Sequence, residues 1–161
     1  SGALQFSLQR TFLSDGRNRM KPILVSACLL GAACKYSGGD NLCPQVAAMA
    51  QDHALVPVCP EQLGGLPTPR TPAERQGDRV VTKDGRDVTD AYLRGAQEAL
   101  KLAKLFGCDT AILKARSPSC GARAIYDGSF TGTVVPGDGV TAELLQASGI
   151  RVLTEAELDL L

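Results

Sequence analysis

Short apolar runs alternate with helical or polar segments along most of the chain, and this alternation is typical of an α/β protein. Residues 23–27, 54–58 and 110–113 are aliphatic runs of the kind that form strands buried on both faces of a parallel sheet, and 150–153 is a fourth. Pro57 lies inside the second run, which predicts an edge strand or an early strand end.

The segments between the runs carry helical signals. Pro44 is suited to the first turn of a helix that continues to Ala50. A longer helix is capped by Asp87 or Thr89 and ends at Gly107. Its apolar face recurs at spacings of four and three, at Tyr92, Ala96, Ala99, Ala103 and Phe106. We expect a further helix capped by Thr141 and ended by Gly149, and a terminal helix over residues 155–161.

The remaining segments predict turns. Residues 79–81 with the turn at Asp84-Gly85, and residues 124–130 around Asp127-Gly128, are typical of small hairpins. Residues 59–70 are rich in proline and glycine and predict a rigid loop without an ordinary helix. The fold class is therefore α/β: a single domain with a mainly parallel, Rossmann-like sheet flanked by helices, with a small hairpin. Ligands of such folds bind at the carboxyl ends of the strands.

Composition and charge narrow the function. We expect residues 1–19 to be a disordered extension or expression remnant, because Met20 precedes the first strand and suits a natural start, and residues 20–161 to form the domain. No apolar run reaches the roughly 18 residues of a membrane helix, and no secretory signal is evident, which predicts a cytoplasmic protein. The 17 basic and 17 acidic residues balance, which argues against an obligate nucleic-acid binder.

Three cysteines occupy matching positions. Cys28 and Cys59 come directly after strands, and Cys120 lies in the loop after a third. Parallel strands would bring these thiols to one sheet edge, where a reducing compartment favours metal binding over disulfides. Cys34, six residues beyond Cys28, competes with it for this role, whereas Cys43 and Cys108 suit structural positions.

The donor set favours an iron–sulfur cluster. The chain has no CxxC pair and a single histidine, His53, so it lacks the common zinc patterns. Three thiolates on a [4Fe-4S] cluster would leave one iron without a protein ligand, open to a substrate sulfur. Glu61 suits acid–base chemistry beside such a centre, or pairing with Arg70, while Ser117 and Ser119 suit hydrogen bonding to it. Cationic side chains could steer a polar ligand, namely Arg70, Lys114, Arg116 and Arg123.

The motifs carrying these residues resemble the bacterial thiouracil desulfidase (TudS-like) family. They are VSACLLG at 25–31, YSG at 36–38, VCPE at 58–61, GLPTPR at 65–70 and SPSCG at 117–121. The resemblance implies removal of sulfur from 2-thiouracil or related thiolated pyrimidines at a [4Fe-4S] cluster. It implies the ligands Cys28, Cys59 and Cys120, with one iron unligated by protein.

The resemblance also implies roles around that cluster. Glu61, Ser117 and Ser119 take acid–base and positioning roles, and we expect Ser26, Tyr36, Arg70 and Lys114 to contact the substrate. The partner is a small thiolated base; related domains fused to other modules act on thiolated tRNA bases, and the oligomeric state is open. Two alternatives stay open: a non-catalytic metal-binding or redox-sensing cysteine module, and a thiol-containing structural domain without metal.

Overall fold

The computed structural model describes residues 21–161, and a parallel sheet of four strands forms the centre of this part of the chain. The strands are β1 (Ile23–Ser26), β2 (Leu55–Val58), β3 (Ala73–Gln76), β4 (Arg79–Thr82), β5 (Thr110–Leu113), β6 (Ala124–Tyr126), β7 (Val134–Pro136) and β8 (Arg151–Thr154). The parallel sheet has the order β2-β1-β5-β8. The four predicted sheet strands are confirmed, and the strand containing Pro57 lies at an edge, as predicted.

Helices pack on both faces of this sheet. The α-helices are α1 (Pro44–Ala48), α2 (Pro60–Leu63), α3 (Thr89–Phe106) and α4 (Val140–Ala147), and 3-10 turns lie at Ala27–Leu30, Met49–Gln51 and Leu158–Leu160. One face buries Leu24 and Leu113 against alanines of α3 and Leu145 of α4. The other buries Val25 and Ile112 against Leu29 and Val46. The α/β expectation is confirmed, because neighbouring sheet residues supply apolar side chains to opposite faces.

The two hairpins differ from the prediction in their pairing. β4 pairs antiparallel with β3, through the turn at Gly77-Asp78, while Asp84-Gly85 forms a second turn that returns Asp87 to Val81. β6 pairs with β7, so residues 127–133 form a longer loop than an Asp127-Gly128 turn. β7 is exposed and ends in proline, which gave it no strand signal in the sequence.

Four local predictions are wrong. Residues 59–70 do contain one helical turn, α2, which begins at Pro60 because proline suits a first helical position. The terminal segment forms a turn and a 3-10 helix, Leu158–Leu160, in place of an α-helix. Phe106 is 52% exposed at the last position of α3. Thr141 does not cap α4, which begins one residue earlier.

The N-terminal residues and the membrane question can be stated briefly. The expected extension at residues 1–19 lies outside the described residues, so that expectation stays a prediction. Across residues 21–161, no helix combines the length and apolar character needed to cross a membrane.

Candidate metal centre and active site

The carboxyl ends of β1, β2 and β5 meet at one cavity of about 720 Å³. Cys28 lies in the 3-10 turn that follows β1, and Cys59 comes directly after β2. Cys120 lies in the loop after β5, on the other side of β1. All three thiols line the cavity, so the fold brings together cysteines that are far apart in sequence.

Cys34 supplies a fourth thiol to the same cavity. It lies in the loop after the first 3-10 turn, is only 5% exposed, and hydrogen-bonds with the Cys59 side chain. The Cys59 sulfur also lies 3.7 Å from the Cys34 carbonyl oxygen. Burial, and then the neighbouring Cys59, raise the pKa of Cys34 to about 12. The sequence interpretation set Cys34 against Cys28, whereas the structure places both at the site.

The surroundings of Cys28 limit its ionisation. Burial is the largest cause raising its pKa, and the charges of Cys59 and Glu61 act in the same direction. A hydrogen bond from Asn41 opposes them, because the amide stabilises a thiolate. Asn41 was missed in the sequence, where a polar loop residue beside Asp40 carries no distinct signal.

Cys120 is enclosed to the same effect. Burial raises the pKa of Cys120 most, and the charge of Glu61 raises it further. Ser26, which is 2% exposed, opposes this through a hydrogen bond to the Cys120 sulfur, and its oxygen accepts the Lys114 amide at 2.9 Å. Ser26 therefore connects two strand ends and a thiol, which is a positioning role in addition to the contact with substrate expected of it.

This donor set fits an iron–sulfur cluster. Buried thiolates beside a carboxylate repel one another, and a cationic metal core removes that cost. Within residues 21–161, no three Cys, His, Asp or Glu side chains converge closely enough to hold a single metal ion. A cubane takes one cysteine per iron, so its ligands surround it at wider separations. The spread of Cys28, Cys59 and Cys120 suits that requirement.

Glu61 is held at the cavity by Arg70. The Arg70 guanidinium donates to the Glu61 carboxylate and, at 2.9 Å, to the Cys34 carbonyl oxygen. Its other terminal nitrogen donates to Thr68 and Pro67, and its side chain is 6% exposed. Burial alone would lower the pKa of Arg70, but the charge and hydrogen bond of Glu61 outweigh it and raise that pKa. Arg70 thus aligns Glu61 and the Cys34 loop, which leaves its terminal nitrogens engaged with protein groups.

The two candidate serines have different positions. Ser117 lines the cavity, and its hydroxyl accepts the amides of Ser119 and Cys120 at 3.1 and 3.0 Å. Ser119 is fully buried outside the cavity lining, with its hydroxyl 2.8 Å from that of Thr141. The expected contact of Ser119 with the reacting centre is therefore wrong. Its bond to Thr141, at the start of α4, positions the Cys120 loop.

The outer cavity carries the other expected contacts. Tyr36 is 50% exposed and lines the cavity. Lys114 also lines it and pairs with Glu155 at 2.9 Å. Glu155 was missed, although it follows β8 as the cysteines follow their strands, and the same rule would have found it. Arg123 does not line this cavity, because it pairs with Glu157 behind β8.

Tyr92 is a further cavity residue that sequence reasoning assigned only to the core. Its ring lies on α3, 3% exposed, in an apolar cluster with Val80, Ala96 and Val140. Burial is the main cause raising its pKa, followed by the charge of Glu61, so its hydroxyl stays protonated. The signal in the sequence was its phenol oxygen, on a face otherwise made of alanines.

A close contact between helices sets the position of Cys59 and Glu61. A Cβ atom added at Gly95 of α3 would lie 1.8 Å from the Pro60 carbonyl oxygen. One added at Gly64 would lie 2.0 Å from the Ala91 carbonyl oxygen. Two glycines therefore let α2 lie directly against the backbone of α3.

Comparisons with known proteins agree with this site. Residues 23–157 match the family model described as 2-thiouracil desulfurase. The protein YbbK of Bacillus subtilis strain 168, described as uncharacterized, is 42% identical over 147 residues, which are 85% of this chain and 97% of that protein. The solved structure of the [4Fe-4S]-dependent thiouracil desulfidase TudS is 45% identical with a TM-score of 0.84, covering 88% of this chain and 95% of that one. On these matches, the chain belongs to the 2-thiouracil desulfurase family.

Proposed function

We propose that this protein is a [4Fe-4S]-dependent desulfidase that converts thiolated pyrimidines such as 2-thiouracil into the oxygen base and sulfide. The observation that carries the proposal is the convergence of Cys28, Cys59 and Cys120 on one cavity, with Glu61 aligned there by Arg70. The likeness to a [4Fe-4S]-dependent thiouracil desulfidase supports the same activity.

Cys28, Cys59 and Cys120 would hold the cluster, leaving one iron without a protein ligand. When bound, the cluster supplies a soft Lewis acid that accepts the thiocarbonyl sulfur and makes the adjacent carbon electrophilic. The donor set favours this assignment because each of the three thiols follows a different strand of the same sheet edge.

Glu61 is the group we assign to proton transfer. Its carboxylate lines the cavity and takes a proton from the water that attacks the C–S carbon. The new C–O bond replaces the C–S bond, the electron pair of that bond leaves with sulfur, and the sulfide carries a proton away. The overall reaction is a hydrolysis, so no electron donor is needed. Ser117 stands on the same cavity wall as a hydrogen-bonding group for water or substrate.

The substrate is a small thiolated base, and the compartment is the cytoplasm. The cavity of about 720 Å³ has ample room for a single base ring. All six cysteines are free thiols, which a reducing compartment maintains. Tyr36 and Lys114 line the cavity where a bound ring or its substituents would be contacted.

The fourth thiol favours one alternative. Four cysteines on a cubane would close every iron, which is typical of electron-transfer or sensing centres. Cys34 lies in the same cavity and in contact with Cys59, so a closed, non-catalytic metal or redox module has a specific structural basis.

Anaerobic loading with iron and sulfide tests the proposal. The loaded protein is incubated with 2-thiouracil while its ultraviolet absorption is followed, with metal-free protein as the control. We expect loss of the thiobase, formation of uracil and release of sulfide only with the loaded protein. A fully loaded cluster that leaves every thiolated base intact would favour the closed module.

A further inference from the structure

Tyr92 presents its hydroxyl to the cavity from a rigid position. Its ring is 3% exposed and packs with Val80, Ala96 and Val140, while Val88 and Leu66 lie against the same cluster. A ring packed in this way retains little rotational freedom, so the direction of its O–H group is set by the fold.

The hydroxyl has no protein partner among residues 21–161. Every fully enclosed side-chain nitrogen or oxygen of the described chain makes a hydrogen bond, and the Tyr92 oxygen makes none. That oxygen is therefore open to the cavity that Tyr92 lines. A buried donor without a partner is costly, which indicates that the native site supplies an acceptor.

The groups that face this donor are rich in acceptors. Glu61, Cys59 and Cys120 all lie close enough for their charges to act on the phenol, and the guanidinium of Arg70 is already bonded to Glu61. Sulfur atoms of ligating cysteines and of an iron–sulfur cluster accept hydrogen bonds. The phenol is a neutral donor, so it can serve such acceptors without placing a further charge in the cavity.

We propose that the Tyr92 hydroxyl donates a hydrogen bond to a sulfur atom of the metal centre, as a positioning residue that stabilises negative charge there. The inference rests on the proposed cluster and deepens it. Hydrogen bonds to cluster sulfurs raise the reduction potential, because they stabilise the more negative, reduced state. The same bond would stabilise charge that collects on sulfur as the C–S bond breaks.

The test is the reduction potential of the loaded enzyme. Tyr92→Phe removes only the hydroxyl, and Tyr126→Phe removes the same atom from strand β6 at the outer wall. After anaerobic loading and iron analysis, each protein is titrated with redox mediators and the reduced cluster is followed by electron paramagnetic resonance. We expect a more negative potential in Tyr92→Phe and no shift in Tyr126→Phe.

The other outcomes are decisive as well. An unchanged potential in Tyr92→Phe, or an equal shift in both variants, overturns the inference while leaving the proposed desulfidase intact. Wild-type protein that takes up no cluster overturns both. If Tyr92→Phe fails to load, 3-fluorotyrosine placed at position 92 decides: its more acidic hydroxyl is a stronger donor, so the potential should shift in the positive direction, and no shift contradicts the inference.

Discussion

The pairing of Glu61 with Arg70 determines what each residue can do. Both side chains are largely buried, and Arg70 also bonds the Cys34 carbonyl oxygen. Removing one partner of a buried ion pair leaves the other charge uncompensated, which is more costly than losing a surface pair. Glu61 is therefore both the proposed proton acceptor and the partner of a buried guanidinium.

Glu61→Gln should separate chemistry from folding. The amide keeps the shape and a hydrogen-bond acceptor, so we expect a loss of about 2 kcal/mol in the free energy of unfolding. Because the amide cannot take a proton, kcat should fall at least about 100-fold while iron content is retained. Denaturant unfolding and steady-state kinetics measure the two effects.

Glu98→Gln is the matched control for this change. Glu98 pairs with Lys101 on the surface of α3, away from the cavity, so we expect a change within about 0.5 kcal/mol and unaltered turnover. Normal turnover in Glu61→Gln would contradict the role of Glu61 in proton transfer.

The four cavity cysteines give a second prediction at this scale. Serine variants of Cys28, Cys59 and Cys120 should each bind less iron after anaerobic loading and lose activity. Cys34→Ser should retain the cluster, because the motif assigns three ligands and leaves Cys34 beside Cys59 without that role. Iron and sulfide analysis with visible spectra measures this, and Cys108→Ser serves as a control from the hydrophobic core. Loss of the cluster in Cys34→Ser would instead support the closed, four-cysteine centre.

The one-turn helix α2 depends on α3 for its position. Its first residue, Pro60, follows Cys59, and Glu61 comes next, so any displacement of α2 moves both residues. Gly95 allows the close approach, because any side chain there would meet the Pro60 carbonyl oxygen. The element therefore connects a helix contact to the geometry of the site.

Gly95→Ala should reverse the usual effect of this substitution. In an exposed helix position, alanine in place of glycine stabilises by roughly 1 kcal/mol. Here we expect destabilisation of about 2 kcal/mol, with weaker iron binding, because α2 must move away. Gln97→Ala, on the exposed face of α3, is the control and should be neutral or stabilising. Thermal unfolding and iron content measure both effects, and a more stable Gly95→Ala protein would contradict the packing account.

The elements differ in how well the sequence predicted them. The sheet strands were predictable because they are aliphatic on both faces, which few other structures require. β7 was not, since its exposed Val134–Pro136 gains its conformation only from pairing with β6. α2 was missed because a single turn between glycines and prolines has no periodicity, and tertiary contact with α3 stabilises it.

The site was partly predictable for a related reason. Cys28, Cys59 and Glu61 lie at or just beyond strand ends, where the parallel arrangement dictates a common edge. The entry of Cys34 into the cavity depends on the path of a loop, and Ser119 is turned away by its bond to Thr141. Neither loop geometry nor side-chain direction follows from spacing in the sequence.

At the scale of the whole molecule, the sheet acts as a frame that collects distant residues at one edge. The apolar clusters on its two faces hold the strands in register, and the cavity opens where β1, β2 and β5 end. The chain carries no net charge, so the negative groups gathered in the cavity are a local feature and not a general one. We infer that the fold accepts this crowding because the metal centre neutralises it.

Strictly anaerobic turnover in ¹⁸O-labelled water tests the central claim most directly. Loaded wild-type protein is given 2-thiouracil, and the product mass, the sulfide released and the iron content are measured together. We predict about four irons per chain, uracil carrying oxygen from the labelled water, and one sulfide for each uracil formed. Unchanged 2-thiouracil at full cluster occupancy, or product oxygen that does not come from water, would contradict the account.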